Sequence, residues 1–212
     1  MKKYMNVYVL TRVIGVVILA LLLLEGSRRY VDFRTGRYLY EAMEREKYDT
    51  VAWNLKMGVN PNIFVYEEQF KSKVSMLYMA VDIDARSYDH EMYYVPLFVK
   101  YGADFKQHER YGAKMLRVAI KNNKYEMVDY LMKKGVTVRD EDGIIQYLIE
   151  RYTFYDDTGI SEDQIMTLIK ELTSHGLSLN AKDKENNMTS LEAANEVHNF
   201  TLAEKLRELG AK

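Results

Sequence analysis

The chain has 212 residues, a length for one domain, or one domain plus an accessory segment. It holds no cysteine, which excludes thiol nucleophiles, Cys-ligated zinc, iron–sulfur clusters and a disulfide framework. Its 30 Lys and Arg balance 31 Asp and Glu, so it lacks the accumulated positive charge behind general nucleic-acid binding. Apolar residues make up 48%, with only 2 prolines and 11 glycines, a composition that favours packed helices over a turn-rich sheet protein.

The first element in chain order is a membrane signal. Val13 to Leu24 are twelve unbroken apolar or glycine residues, preceded by Lys2 and Lys3 and followed by Glu25-Gly26-Ser27-Arg28-Arg29. A twelve-residue helix rises about 18 Å, short of a hydrocarbon core of about 30 Å. That length suits the apolar region of a secretory signal. Extended back to Tyr4, the stretch reaches 21 residues and can span, enclosing Arg12, which would snorkel toward the headgroups. Cleavage after Gly26 would put Leu24 at −3, and cleavage after Ser27 would put Glu25 there; neither is small. An uncleaved anchor is therefore preferred to a cleaved signal peptide, and both to a buried core helix. Lys2, Lys3 and Arg12 on one side nearly tie with Arg28, Arg29, Arg34 and Arg37 on the other, so charge leaves the orientation open. The signal-like shape favours export of the C-terminal part. Residues 1–38 carry a net charge of +5 and the remainder −6.

The rest of the chain repeats. An apolar residue is followed three places later by Ala, and sixteen after the Ala by Gly: Leu39-Ala42-Gly58, Leu116-Ala119-Gly135 and Leu191-Ala194-Gly210. Leu77-Ala80 reaches Gly102 six residues late, and Ile145-Leu148 reaches Gly176 twelve residues late. In the third copy the spacing predicts a helix from Lys114 to Asn122, with Ala119 small where another helix approaches. A second helix is predicted from Tyr125 to Lys134, with Met127, Val128, Tyr130 and Leu131 on one face. Gly135 is expected to end it in a left-handed cap. Neither helix buries its apolar face alone, so copies must stack.

This organisation resembles the ankyrin repeat family. Thr189-Ser190-Leu191-Glu192-Ala193-Ala194 is similar to the family's Thr-Pro-Leu-His-x-Ala opening. Gly102-Ala103-Asp104 and Gly58-Val59-Asn60-Pro61-Asn62 are similar to its Gly-Ala-Asp-x-Asn closing. No copy keeps the Pro or the His of the opening. The resemblance implies an all-α fold: an ankyrin-repeat solenoid of about five degenerate helix-turn-helix copies, preceded by an N-terminal membrane helix. The expected organisation is a signal anchor or uncleaved transmembrane helix over 1–26 and a juxtamembrane linker over 27–34. The ankyrin repeat domain follows over 35–212, with copies at about 35–62, 63–106, 107–139, 140–180 and 181–212.

Sites for chemistry are sparse. His90-Glu91 has Tyr94 where a second zinc ligand would stand, and with Asp82, Asp84 and Asp89 it reads as a solvated insertion rather than a metal site. Asp156-Asp157-Thr158-Gly159 opens no complete calcium loop, and Ser161 with Gln164 forms a capping box at the next helix start. Gly-rich phosphate loops and a Gly-x-Ser-x-Gly elbow are absent from the sequence. No enzyme activity, cofactor, metal or small-molecule substrate is expected.

The 18 tyrosines are more informative. Tyr88, Tyr93 and Tyr94 cluster at the first insertion, and Tyr152 and Tyr155 at the second. They mark either a protein interface or rings that cap the core beneath the insertions. In the ankyrin family, partners meet the concave face of finger tips and first helices. Register carries that face onto Arg110, Tyr111, Lys121 and Asn122 in the third copy, and onto Glu185, Asn186 and Glu196 in the last. The resemblance thus implies a module that binds another protein. A small, anchored ankyrin protein is similar to bacterial immunity proteins, some of which neutralise lipase toxins of type VI secretion in the periplasm. Expected partners are a protein such as a toxin, and the membrane through the N-terminal helix, but no nucleic acid. The expected address is a single pass through the bacterial inner membrane with the domain in the periplasm. A scaffold or assembly factor for a resident membrane complex, with the domain facing the cytoplasm, is the alternative.

Overall fold

The computed structural model describes residues 17–23, 36–67, 71–87, 92–154 and 160–212. Residues 17–23 are helical, with apolar side chains exposed from Val17 at 51% to Leu23 at 66%. The rest of the expected anchor and the linker lie outside the described residues. Among the described residues, no helix is long and apolar enough to cross a membrane.

From residue 36 the chain is mostly helical. Helices α1 (36–44) and α2 (Tyr48–Lys56) form the first pair. A hairpin of β1 (Phe64–Glu67) and β2 (Ser72–Ser75) follows, antiparallel, with Phe64 opposite Ser75 and Val65 opposite Val74. Helices α3 (Met76–Arg86) and α4 (Tyr94–Lys100) come next, then a 3-10 helix over Phe105–Tyr111. Helices α5 (Gly112–Lys121) and α6 (Tyr125–Lys133) form the third pair. A short 3-10 turn (Asp140–Asp142) leads to α7 (Ile144–Phe154) and α8 (Glu162–Ser174), and α9 (Ser190–Glu196) and α10 (Phe200–Glu208) close the chain.

The second helix of every pair ends in the same way. Gly58, Gly102, Gly135, Gly176 and Gly210 all have φ between 85° and 99°. Each glycine N–H donates to the residue three back, and the next N–H donates to the residue five back, as Gly135 to Met132 (3.0 Å) and Val136 to Leu131 (3.1 Å). These are Schellman caps, which satisfy carbonyls left open at the helix end. A Cβ on any of the five would meet nothing within 4 Å, so the backbone angle, not space, requires glycine.

The first helices of the uninserted pairs use the same turn without glycine. Glu46, Asn123 and His198 take φ of 55°, 58° and 57°. The following N–H groups, of Lys47, Lys124 and Asn199, each donate to Ala42, Ala119 and Ala194 at 2.9 Å. The recurring alanine therefore has two roles. Its side chain is small, and its carbonyl closes the turn. A non-glycine residue there costs about 1–2 kcal/mol of backbone strain, which the packed pair must offset. In the second pair α3 instead ends at an extended Ser87.

The pairs stack. First helices lie on first helices, α3 on α5, α5 on α7 and α7 on α9, while α2 meets α4 and α6 meets α8. The buried faces join into one core from Leu39 to Ala211. In α5, Met115, Leu116, Ala119 and Ile120 fall at helical spacing and are all buried. Asparagines staple neighbouring pairs at the loops. Asn62 donates to the Gly102 carbonyl (3.0 Å) and accepts from Asp104 N–H (2.8 Å). Asn180 does the same to Gly210 (3.2 Å) and Lys212 (2.6 Å). Between these, the Asp140 carboxylate takes the Ser178 N–H at 2.8 Å. The expected capping box is present: Ser161 and Gln164 exchange hydrogen bonds of 2.8 and 3.3 Å at the start of α8.

Ala119 is fully buried where α5 meets its neighbours, so Ala119→Phe should overpack the stack and lower stability by about 1–3 kcal/mol. Urea unfolding followed by circular dichroism checks this; an unchanged midpoint would contradict the close approach at that position.

Candidate functional site

The loops between pairs and the first helices place most of the expected site residues. The hairpin sets Phe64 beside the 3-10 helix. There the Arg110 guanidinium lies 5.1 Å from the Phe64 ring centroid and 5.0 Å from that of Tyr111. Its Nη2 donates to the Lys73 carbonyl at 3.3 Å. Stacking on two rings fixes an exposed cation while leaving donors facing solvent. Lys114 Nζ adds a second cation 5.6 Å from the Tyr111 centroid. Arg110 also lines a groove of about 330 Å³ with Glu109, Ala113, Thr137, Arg139 and Asp142.

Beneath Arg110, His108 is 1% exposed. Its Nε2 lies 3.2 Å from Asn62 Oδ1, which also accepts from Asp104 N–H. The Phe64 ring covers it at 5.0 Å between centroids. Burial lowers its pKa, as does Arg110, while Asp104 pulls the other way. The imidazole is thus a neutral strut under the finger, with Nδ1 buried and unpaired.

The last two pairs build a second region. Asp183 is 4% exposed, and its carboxylate accepts from the N–H groups of Glu185 (2.8 Å), Asn186 (2.6 Å) and Met188 (3.1 Å). Burial would raise its pKa, but those N–H groups and the Arg117 charge outweigh it and hold the carboxyl below its ordinary value. The loop so fixed presents Glu185 and Asn186. Glu185 accepts from Arg117 at 3.1 Å, and Arg117 also donates to the Asp142 carbonyl (2.8 Å) and lies 4.9 Å from the Tyr147 ring centroid. Asn186 donates to Glu150 at 3.2 Å. Asn186, Asn187, Met188, Glu192, Asn195 and Glu196 line an open groove of about 470 Å³.

The structure sorts the expected residues. Arg110, Lys121, Glu185, Asn186 and Glu196 are exposed. Asn122 is half-buried and donates to the Val118 carbonyl at 2.8 Å. Tyr152 is half-buried against the core. Tyr93 is 38% exposed and packs edge-on against Tyr48 at 5.9 Å. Two of the rings are buried. Tyr94 is 5% exposed, its ring in the core and its hydroxyl donating to the Met43 carbonyl at 3.3 Å. Tyr111 is 7% exposed, stacked on Tyr78 at 5.3 Å, with its hydroxyl donating to Lys73 at 2.7 Å. Both rings pack inside, and each buried hydroxyl has the acceptor it needs. Tyr88, Tyr155 and the His90-Glu91 pair lie outside the described residues. Among the described residues, no group of three or more His, Asp and Glu side chains is placed to hold a metal ion.

Asp84 is the residue that reading the sequence as a solvated insertion missed. It is 2% exposed and accepts from Tyr94 N–H (3.0 and 2.9 Å to its two oxygens) and Val95 N–H (2.7 Å). It therefore caps α4 from α3, across the first insertion. The signal was there: Leu77, Ala80, Val81 and Asp84 share one helical face, so Asp84 sits on a buried stripe. Burial pushes its carboxyl up to about 6, although the N–H groups of Val95, Tyr94 and Tyr93 and the Lys124 charge pull down. Burial, together with Asp84, Glu46 and Tyr48, pushes the Tyr94 phenol up to about 12.

No protein-family model matches the sequence, and no curated protein matches it.

A carboxyl with a raised folded pKa binds its proton more tightly in the folded state. Its contribution to stability is fully present below about pH 4 and is lost as pH rises through about 6. The stability of the parent relative to Asp84→Asn should therefore fall from pH 4 to pH 7, by up to about 3 kcal/mol. Paired urea titrations at the two pH values read this; a difference that stays flat means the carboxyl titrates normally.

Proposed function

We propose that the chain is an ankyrin-type solenoid, held at the bacterial inner membrane by its N-terminal segment, whose loop and first-helix face binds another protein. The observation that carries the reading is that face itself. It presents a ring-stacked Arg110, a loop pinned by Asp183, and two polar grooves of about 330 and 470 Å³ along the same run of loops. Arg is among the residue types over-represented at interface hot spots. Mixed charge, with Arg110 and Arg139 in one groove and Glu192 and Glu196 in the other, suits a patterned protein surface. Support for the repeat identity comes from the five left-handed glycines in one register and the asparagine staples between pairs.

The partner class is a secreted toxin, a lipase of the type VI pathway being the closest analogy, and neutralisation is by covering its active site. This rests on the resemblance of an anchored, small repeat protein to immunity proteins. The exposed apolar helix at 17–23 is compatible with an N-terminal membrane attachment. A scaffold for a resident membrane complex is the outcome that the tests below would favour if the immunity reading fails.

Two measurements test the proposal. Alkaline phosphatase fused after Lys212 should be active, and a fluorescent protein fused there should stay dark; the reverse pattern moves the domain to the cytoplasm and the reading to a scaffold. Cross-linking of the full chain in its native membranes should recover a partner, and Arg110→Ala with Glu196→Lys should reduce recovery by about tenfold or more, as loss of one or two hot spots does. Equal recovery by the variant would remove this face from the interface.

A further inference from the structure

His108, Arg110 and Tyr111 hold the hairpin and the loop before it on the 3-10 helix. Asn62, in that loop, has its Oδ1 3.2 Å from His108 Nε2, and the Phe64 ring of β1 covers the imidazole at 5.0 Å between centroids. On β2, the Lys73 carbonyl accepts from Arg110 and from the Tyr111 hydroxyl. The Arg110 guanidinium lies over the same Phe64 ring that covers His108. A displacement of His108 therefore disturbs the platform on which Arg110 is displayed.

The Asn62 amide fixes the tautomer of the ring. Its Nδ2 donates to the Gly102 carbonyl (3.0 Å) and its Oδ1 accepts from Asp104 N–H (2.8 Å), so turning the amide over would lose both bonds. Only its oxygen faces the imidazole. His108 Nε2 must then carry the proton and donate, which leaves the bare lone pair of the neutral ring at Nδ1. Nδ1 is buried and has no hydrogen-bond partner among the described residues. A second proton would have to go there. It would create a buried N–H with no acceptor, on a buried cation that Arg110 repels. The staple itself does not need the ring, since Asn180 makes the same two bonds to Gly210 and Lys212 without a histidine. Six residues after the capping glycine, the first, third and fourth copies carry Phe64, Glu141 and Lys182, and the second carries His108. A titratable ring has thus been added to one staple of the stack.

We propose that His108 is an acid-sensitive latch: proton uptake at Nδ1 releases the ring from Asn62, loosens the hairpin on the 3-10 helix and withdraws Arg110 from its fixed display. The charges that act on the ring are Asp104, which favours the proton, and Arg110, which opposes it, both on its own segment. The loop and the hairpin face it with Asn62 and Phe64, which do not titrate. Helices α3 and α5 pack on the same 3-10 helix and bring Tyr78 and Lys114 to the Tyr111 ring. Burial is the largest influence on His108 and holds its pKa below the ordinary value of 6.5. The sign follows: the latch is closed above about 6.5 and weakens as pH falls from there toward the folded value. This is opposite to Asp84, whose contribution grows as pH falls, so acid loosens the hairpin without loosening α3 and α4. The effect of the latch on partner binding rests on the loop-face reading above; the latch itself does not.

Hydrogen exchange of the full chain in detergent reads the latch at the Asp104 amide, which donates to Asn62 Oδ1. Its protection, corrected for the intrinsic rate, should fall between about pH 7.5 and about pH 5.5, by up to about tenfold per pH unit, the limit for one proton. The Val136 amide, in the cap of the third pair, should keep its protection. His108→Gln keeps a donor for Asn62 and cannot take up a proton, so its Asp104 amide should be equally protected at both ends of that range. Flat protection in the parent overturns the proposal, as does an equal fall in the variant or at Val136. Nitrogen shifts of the parent's ring keep the test open if the variant does not fold. Nε2 should be protonated and Nδ1 bare at neutral pH, with Nδ1 gaining its proton where Asp104 loses protection. A neutral ring protonated at Nδ1, or one that titrates with no change at Asp104, overturns the latch. All of these are read on the chain alone, so the latch can fail while partner recovery stands, and the reverse.

Discussion

A left-handed residue after each second helix sets the period of this molecule. At Gly58, Gly102, Gly135, Gly176 and Gly210 the chain reverses hand, closes two carbonyls and leaves in a direction that delivers the next pair onto the last. An L-residue with a side chain pays backbone strain there, and glycine does not. Everything else follows from the stacking this permits. The alanine slot lets first helices approach, and its carbonyl closes the inner turn. The asparagine staples tie one loop to the next. Only a stacked array can bury these faces, because each pair alone is too small to hold a core.

Where the period is interrupted, buried carboxylates take over. The first insertion removes the inner turn of the second pair, and the start of α4 would be left with open N–H groups. Asp84 reaches across from α3 and accepts them. Asp183 does comparable work in the last loop, closing a turn with three N–H groups. The two carboxyls are driven in opposite directions. Asp84 is dominated by burial and rises, whereas Asp183 is held down by its donors and by Arg117. Loop position is therefore fixed by hydrogen bonds from backbone N–H groups to buried carboxyls, in a chain whose helices are fixed by apolar packing. The loop face gains a rigid base, on which Arg110 and Glu185 are displayed.

The helix pairs were legible because two local rules coincide at a fixed spacing: an apolar stripe at helical period and a glycine at the left-handed position. Even the α5 and α6 boundaries fall within two residues of the spacing argument. The Ser161–Gln164 box was legible for the same reason, since it is a contact between residues three apart. Arg110, Asn186 and Glu196 were placed on the exposed face by register. Whether Tyr94 and Tyr111 turn in or out was not legible from register alone. The hydroxyl acceptors that turned them in, on Met43 and Lys73, lie 51 and 38 residues away in the chain.

The sequence by itself thus determined the helix pairs, their period and the end of each second helix, because those depend on residues within a turn or two of one another; the β1–β2 hairpin pairs residues up to eleven apart and was not read from it. The tertiary structure decided which polar groups are buried and which aromatic residues are exposed. Asp84 looked solvated and caps a helix ten residues on, and Trp53 is 60% exposed on α2. Both outcomes depend on what lies against a face after stacking. That neighbour comes from a distant part of the chain, and no local pattern encodes it.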